Sequence, residues 1–117
     1  MIERQNDKIK FRIGEDNILY TECFPNSTME LEDGIESTKI SLELVKSTPI
    51  PLLCDLNNVT KMTIECRNHF AGKEHAASFS KAALLVSSPI SKIIGNFFMG
   101  LNKPIKPTKL FTNREKL

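Results

Sequence analysis

The stretch ALLVSSPISKIIGNFFMG, residues 83–100, decides the fold. It opens on an apolar run, breaks at Ser87-Ser88-Pro89, and resumes with Ile90, Ile93, Ile94, Phe97 and Phe98, followed by Leu101. The first run is continuous and bounded by a turn signal, the pattern of a strand covered on both faces. The second repeats at intervals of three, one, three, one and three, which is a single stripe along a helix. Ser88 stands where an N-cap hydroxyl can accept an orphan backbone N–H. Pro89 follows at the first helical position, where a missing N–H does no harm. The order is strand, cap, helix. A membrane span is excluded, because the apolar run at 82–86 is five residues long and a bilayer needs ~20.

The same reading extends outward. KIKFRIG, residues 8–14, alternates polar and apolar, so Ile9, Phe11 and Ile13 share one face of a strand. After the Glu15-Asp16-Asn17 turn, ILYTECF (18–24) forms a second strand, and the two make an N-terminal hairpin. MELEDGIESTKISLELVKS (29–47) predicts a helix with Met29, Leu31, Ile35, Ile40, Leu42, Leu44 and Val45 on an imperfect apolar period. Ser27 or Thr28 would cap it, and Glu30, Glu32 and Asp33 suit the positive end of its dipole. IPLLCDL (50–56) is a central strand, and Asn57-Asn58 turns the chain after it. Thr63 caps a helix over Ile64, Cys66, Phe70 and Ala71, Gly72 breaks it, and KEHAASF (73–79) reads as a further short helix. KAALLVS (81–87) is a strand, and IKPTKLF (105–111) is a last, edge strand because Pro107 removes a donor. Thr112-Asn113 would cap a short terminal helix. Strands alternating with helices imply a mostly parallel sheet of about five strands with right-handed crossovers.

Composition bounds the function. At 117 residues the chain is expected to be one domain, residues 1–117. Hydrophobic residues are 40%, charged residues 26%, and the net charge is +2, so charge gives no argument for nucleic acid. An acidic cluster (Glu30, Glu32, Asp33, Glu36, Glu43) and a basic one (Lys103, Lys106, Lys109, Arg114, Lys116) read as solvated faces. MIERQNDKIK carries charge where a signal peptide needs an apolar core. Cys23, Cys54 and Cys66 are odd in number, without paired spacing, and read as reduced core thiols. A cytoplasmic location is the expectation.

IPLLCDLNNV (50–59), ECRNHFAG (65–72) and AALLVSSPISKIIGNFFMGLNKPIKPTKLF (82–111) resemble the SpoIIAA-like, or STAS/SEC14-related, small bacterial domains, nearest to a branch without an assigned role. The resemblance covers residues 7–111 and implies an α/β, STAS-type sheet with covering helices. Better-known members of that group are anti-sigma-factor antagonists that carry a phosphorylated serine in an Asp-Ser-Ser-Gly element. Counting on from Asp55 places Thr63-Ile64-Glu65-Cys66 there. Glu65 occupies the serine position and cannot be phosphorylated, so the resemblance carries the fold rather than the switch. Thr63 is the hydroxyl left nearby, at a helix start that would tolerate phosphate. SEC14-type relatives hold lipids, which implies an apolar ligand as the alternative.

Little else in the sequence points to chemistry. Cys66-x-x-His69 with Glu65 and His75 is the nearest approach to a metal set, but a second pair at ligand spacing is missing, and a solvent-facing His69 is the simpler expectation. Ser87 and Ser88 sit on a strand-to-helix turn without the glycines of a nucleophile elbow. They remain, with Thr63, candidates for an anion or phosphate site. Lys92, Asn96, Met99 and Lys103 flank the 90–101 stripe as a candidate partner surface. The sequence therefore predicts a non-enzymatic module without cofactor or metal. It would be regulatory or scaffolding and act by protein–protein contact, homodimerisation being one form. The alternative is a small apolar-ligand or lipid-binding domain.

Overall fold

The computed structural model of the protein describes residues 2–100 and 105–113. In chain order the elements are β1 (Ile2–Gln5), β2 (Ile9–Ile13), β3 (Leu19–Cys23), β4 (Ser27–Met29), α1 (Leu31–Val45), β5 (Ile50–Asp55), β6 (Val59–Met62), α2 (Ile64–Phe70), α3 (Lys73–Ala76), β7 (Phe79–Leu85), α4 (Pro89–Gly100) and β8 (Thr108–Phe111). The main sheet runs β1-β2-β3-β5-β7-β8, and β4 pairs with β6 in a small second sheet. The pairs β1–β2 and β2–β3 are antiparallel; β3–β5, β5–β7 and β7–β8 are parallel. This is the hairpin-led, mostly parallel α/β sheet read from the sequence, with six strands rather than about five.

The added strand is β1. All four of its residues are exposed, so it has no apolar alternation to read and is defined by pairing alone, with Ile2 opposite Ile13. Arg4 ties it to the end of α1 through Glu43 at 2.6 Å. The short β4–β6 ladder was also silent in the sequence, and it moves the start of α1. Ser27 and Thr28 lie in β4 rather than at a cap; Glu30 is the N-cap, and Asp33 accepts its backbone N–H at 2.9 Å. Lys8 holds Asp33 in place at 2.8 Å. The stretch 73–79 is helical only to Ala76, and Phe79 already pairs with Ile50 as the first residue of β7. Thr63 does cap α2, accepting from Cys66 N at 3.2 Å. The expected terminal helix falls outside the described residues.

From β3 through β5 and β7 to β8 the chain steps across the sheet in one direction. Right-handed crossovers then place α1, α2–α3 and α4 on the same face, and the helices touch one another there. Ile9, Phe11, Leu19, Leu52 and Leu84 point into that side as core. Lys10, Arg12, Tyr20 and Glu22 alternate to the other side, where the Arg12 guanidinium lies 4.2 Å from the Tyr20 ring centroid. No helix among the described residues is long and apolar enough to cross a membrane.

Two helices are turned partway from the face their apolar residues predict: Ile94 and Phe98 on α4, and Ile40, Leu44 and Val45 on α1, do pack on the core, but small residues share the inner side and other apolar residues are left out. On α1, Gly34, Ser37, Thr38 and Ser41 join Ile40, Leu44 and Val45 inside, while Leu31, Ile35 and Leu42 are exposed. On α4, Ser91, Ile94 and Gly95 are buried, while Ile90 and Ile93 are 41% and 61% exposed. Close approach decides both. A Cβ on Gly95 would lie 3.1 Å from Leu110 Cδ2 and from Val86 Cγ1, and one on Gly34 would lie 3.1 Å from Cys66 Sγ. The glycines let the backbones come near, and their helical faces follow.

Candidate functional site: a pocket between the helices and the sheet

The small residues on α1 have a consequence. Ser37 and Ser41 face Thr21, Cys23 and Cys54 of the sheet across a cavity of about 150 Å3. A helix laid on a sheet normally fills that layer with Leu or Ile; hydroxyls and glycine leave it open. Phe70, Phe79, Phe97 and Phe98 close the sides, and Lys106 stands at the rim, its Nζ donating to Phe79 O at 2.7 Å. The lining is mostly apolar and aromatic. A dry, apolar protein cavity of roughly this size accepts benzene.

One polar cluster reaches this wall through a single member, His75. Thr38 Oγ1 lies 2.8 Å from His69 Nε2 and 2.9 Å from His75 Nδ1. Thr38 is 4% exposed and comes from α1, His69 from α2, and His75 from α3. His75 lines the cavity and is held between rings, its centroid 4.7 Å from Phe70 and 5.6 Å from Phe79. Burial, and secondly the nearby His69, lower its pKa to about 4, so it is neutral at pH 7. His69 is thus not a solvent-facing residue but half-buried and engaged. The sequence grouping of Cys66, His69 and His75 is partly realised: the two rings meet, 6.4 Å apart, through a hydroxyl. Among the described residues no group of three His, Cys, Asp or Glu is placed to hold a metal ion.

The thiols are poor nucleophiles. Burial pushes Cys54 up to about 11 despite the Thr21 hydroxyl beside it, raises Cys66 to about 12, and raises Cys23 as well. All three remain protonated at neutral pH.

The candidate anion residues are held elsewhere. Asn57, read in the sequence only as part of a turn, sends Oδ1 to the start of α4. It lies 2.7 Å from Ser87 N, 3.0 Å from Ser87 Oγ, 3.2 Å from Ser88 N and 3.1 Å from Ser91 Oγ. Ser88 Oγ accepts Ser91 N at 3.1 Å, the cap read from the sequence. A phosphate at this helix start would have to displace Asn57. Thr63 serves its own helix, and no contact brings it to Ser87 or Ser88 among the described residues. On the candidate partner surface Lys92, Asn96 and Met99 are exposed on α4 beside Ile90 and Ile93; Lys103 lies outside the described residues.

Comparison with solved structures identifies the architecture. An uncharacterised protein of the DUF3478 family with a SpoIIAA-like fold, from Shewanella loihica PV-4, superposes with a TM-score of 0.63 over 99% of this chain and 95% of that one, at 14% identity. That likeness shows the fold and nothing further. A protein of unknown function from Arthrobacter sp. FB24 is 25% identical over 91% of this chain and 86% of its own, but its TM-score is 0.35. No curated protein matches. The family model described as a domain of unknown function, DUF7793, matches residues 11–116, and the chain belongs to that family.

Proposed function

We propose that the protein is a binding module for a small apolar ligand, held between its helical layer and its sheet without being chemically changed. The observation that carries this reading is the cavity of about 150 Å3 bounded by aromatic rings and thiols. A neutral imidazole and protonated thiols suit recognition better than turnover. Ligand-observed NMR with benzene tests it. Saturation transfer is expected from wild-type protein and not from Ser41→Leu, which fills the space from α1. Absence of transfer to benzene from the folded wild type would refute the reading.

A second reading, contact with a protein partner or a second copy through α4, is favoured by one observation. Ile90 and Ile93 are exposed beside Lys92, Asn96 and Met99. Sedimentation of wild type against Ile93→Lys tests the contact between copies. A concentration-dependent dimer that Ile93→Lys dissolves supports contact between copies. A monomer at all concentrations removes the homodimer.

A further inference from the structure

We propose that Thr38 couples His69 to His75 so that the protonation of His69 sets whether the pocket offers its ligand a hydrogen-bond donor or an acceptor. The inference rests on the ligand-binding reading for its use, but the coupling itself follows from geometry.

A threonine hydroxyl has one hydrogen to donate. Thr38 Oγ1 is within hydrogen-bond distance of two ring nitrogens, so it donates to one and must accept from the other. Two arrangements satisfy both contacts. In the first, Thr38 donates to His69 Nε2 and accepts from His75 Nδ1–H; His75 Nε2 is then a bare acceptor. In the second, His69 Nε2–H donates to Thr38, which donates to His75 Nδ1; His75 then carries its hydrogen on Nε2 and is a donor. A protonated His69 has N–H groups on both nitrogens, so only the second arrangement remains. Uptake of one proton by the chain thus reverses the polarity of His75 Nε2: the Nδ1 hydrogen of His75 passes to Thr38, the Thr38 hydrogen passes to His69 Nε2, and the proton from solvent arrives at His75 Nε2.

Nε2 is the end that a ligand would meet. Nδ1 is taken by Thr38, and among the described residues Nε2 has no hydrogen-bond partner. Among the described residues no buried side-chain nitrogen lacks a partner, so Nε2 is not sealed in the core, and the space that His75 lines is the cavity. Two charged residues line the same cavity, Glu22 and Lys106; Lys106 donates to Phe79 O at 2.7 Å, and among the described residues neither is hydrogen-bonded to either ring. Asp33 on α1 is paired with Lys8 at 2.8 Å, and Cys66 on α2 stays a neutral thiol. Among the described residues no carboxylate forms an ion pair with either ring. Burial keeps His75 itself neutral until the pH falls to about 4. The ligand class is a ring-sized apolar molecule with a single polar group. Acceptor-bearing ligands are favoured at lower pH.

The test has two arms. Long-range 1H–15N spectra of wild-type protein report imidazole tautomers without any ligand. His75 is expected to move to the Nε2–H form as His69 is protonated; a His75 tautomer that ignores His69 overturns the coupling. In the second arm, affinities for benzonitrile (acceptor only), pyrrole (donor only) and benzene are measured from about pH 8 to about pH 5.5, the range in which imidazoles titrate. The preference for benzonitrile over pyrrole is expected to rise about tenfold, one hydrogen bond's worth, with benzene unchanged. Both Thr38→Val and His69→Gln should flatten the change. A flat preference in wild type, with all three probes bound, overturns this proposal and leaves the ligand reading standing. Failure of all three to bind refutes the ligand reading, and the NMR arm still decides the coupling. A wild-type change that persists in His69→Gln also overturns it.

Discussion

Acidification from pH 7 to pH 5 should weaken the fold through the buried His75. Its pKa falls from the ordinary 6.5 to about 4, chiefly because burial opposes the charged ring. Between these values the unfolded chain binds a proton that the native protein does not. Stability therefore declines as the pH drops through 6.5 and stops declining near 4. At pH 5 the unfolded ring is about 1.5 decades into its titration, which converts to about 2 kcal/mol lost relative to neutral pH. Carboxylates do not mimic this. Asp16 and Glu43 are held below their usual range by hydrogen bonds from Tyr20 and Arg4, so their share is lost only at lower pH. Urea unfolding of wild type and His75→Phe, at matched ionic strength, is the assay. Phe keeps the packing against Phe70 and Phe79 and has nothing to titrate. The extrapolated free energy of wild type should fall by about 2 kcal/mol more than that of the variant. Equal losses in the two proteins would refute the reasoning, because the burial of a neutral imidazole would then not be what acid opposes.

Three further outcomes follow from other parts of the fold. Asn57→Ala strands donors around the fully buried Ser91 and should cost about 2–3 kcal/mol in urea unfolding, whereas Asn57→Asp keeps the acceptor, places a charge at the start of α4 and should cost less. Gly95→Ala should forfeit the roughly 1 kcal/mol that alanine brings to a helix, because its Cβ would meet Leu110 and Val86 at 3.1 Å; a rise in Tm by the full propensity gain would show that the contact yields. The three thiols have raised pKa values, so the unfolded state releases protons first in alkali, and stability should fall as the pH rises past about 9, less steeply in Cys54→Ala.

The elements that were legible in the sequence are those whose signal is local. The strand-cap-helix run needs Ser88, Pro89 and a three-four period, all within one turn of each other, and the structure keeps them. The hairpin β2–β3 and the strand β5 carry their own alternation or continuous apolar runs. What was hidden depends on partners far along the chain. β1 is a strand because β2 is there to pair with it. Thr38 and His75 are 37 residues apart, and nothing in either neighbourhood announces the other. Asn57 reads as a turn residue until Ser87 arrives opposite its side chain, 30 positions later.

The misread helix faces and the cavity have one cause. Hydrophobic periodicity assumes that the apolar side of a helix is its inner side. α1 and α4 instead turn glycine and hydroxyl groups inward, and on α4 two isoleucines are left outside. On α4 the gain is contact: Gly95 brings the helix onto Leu110 of β8 and onto Val86, just past the end of β7. On α1 it is space, since Ser37 and Ser41 stop short of the sheet. The space is partly open to solvent, a lined pocket rather than a sealed void. A single Ser41→Leu substitution could fill it. The sequence keeps Ser41 there instead, and His75 on the same wall has no hydrogen-bond partner at Nε2 among the described residues; both observations support the ligand-binding proposal over a purely structural core.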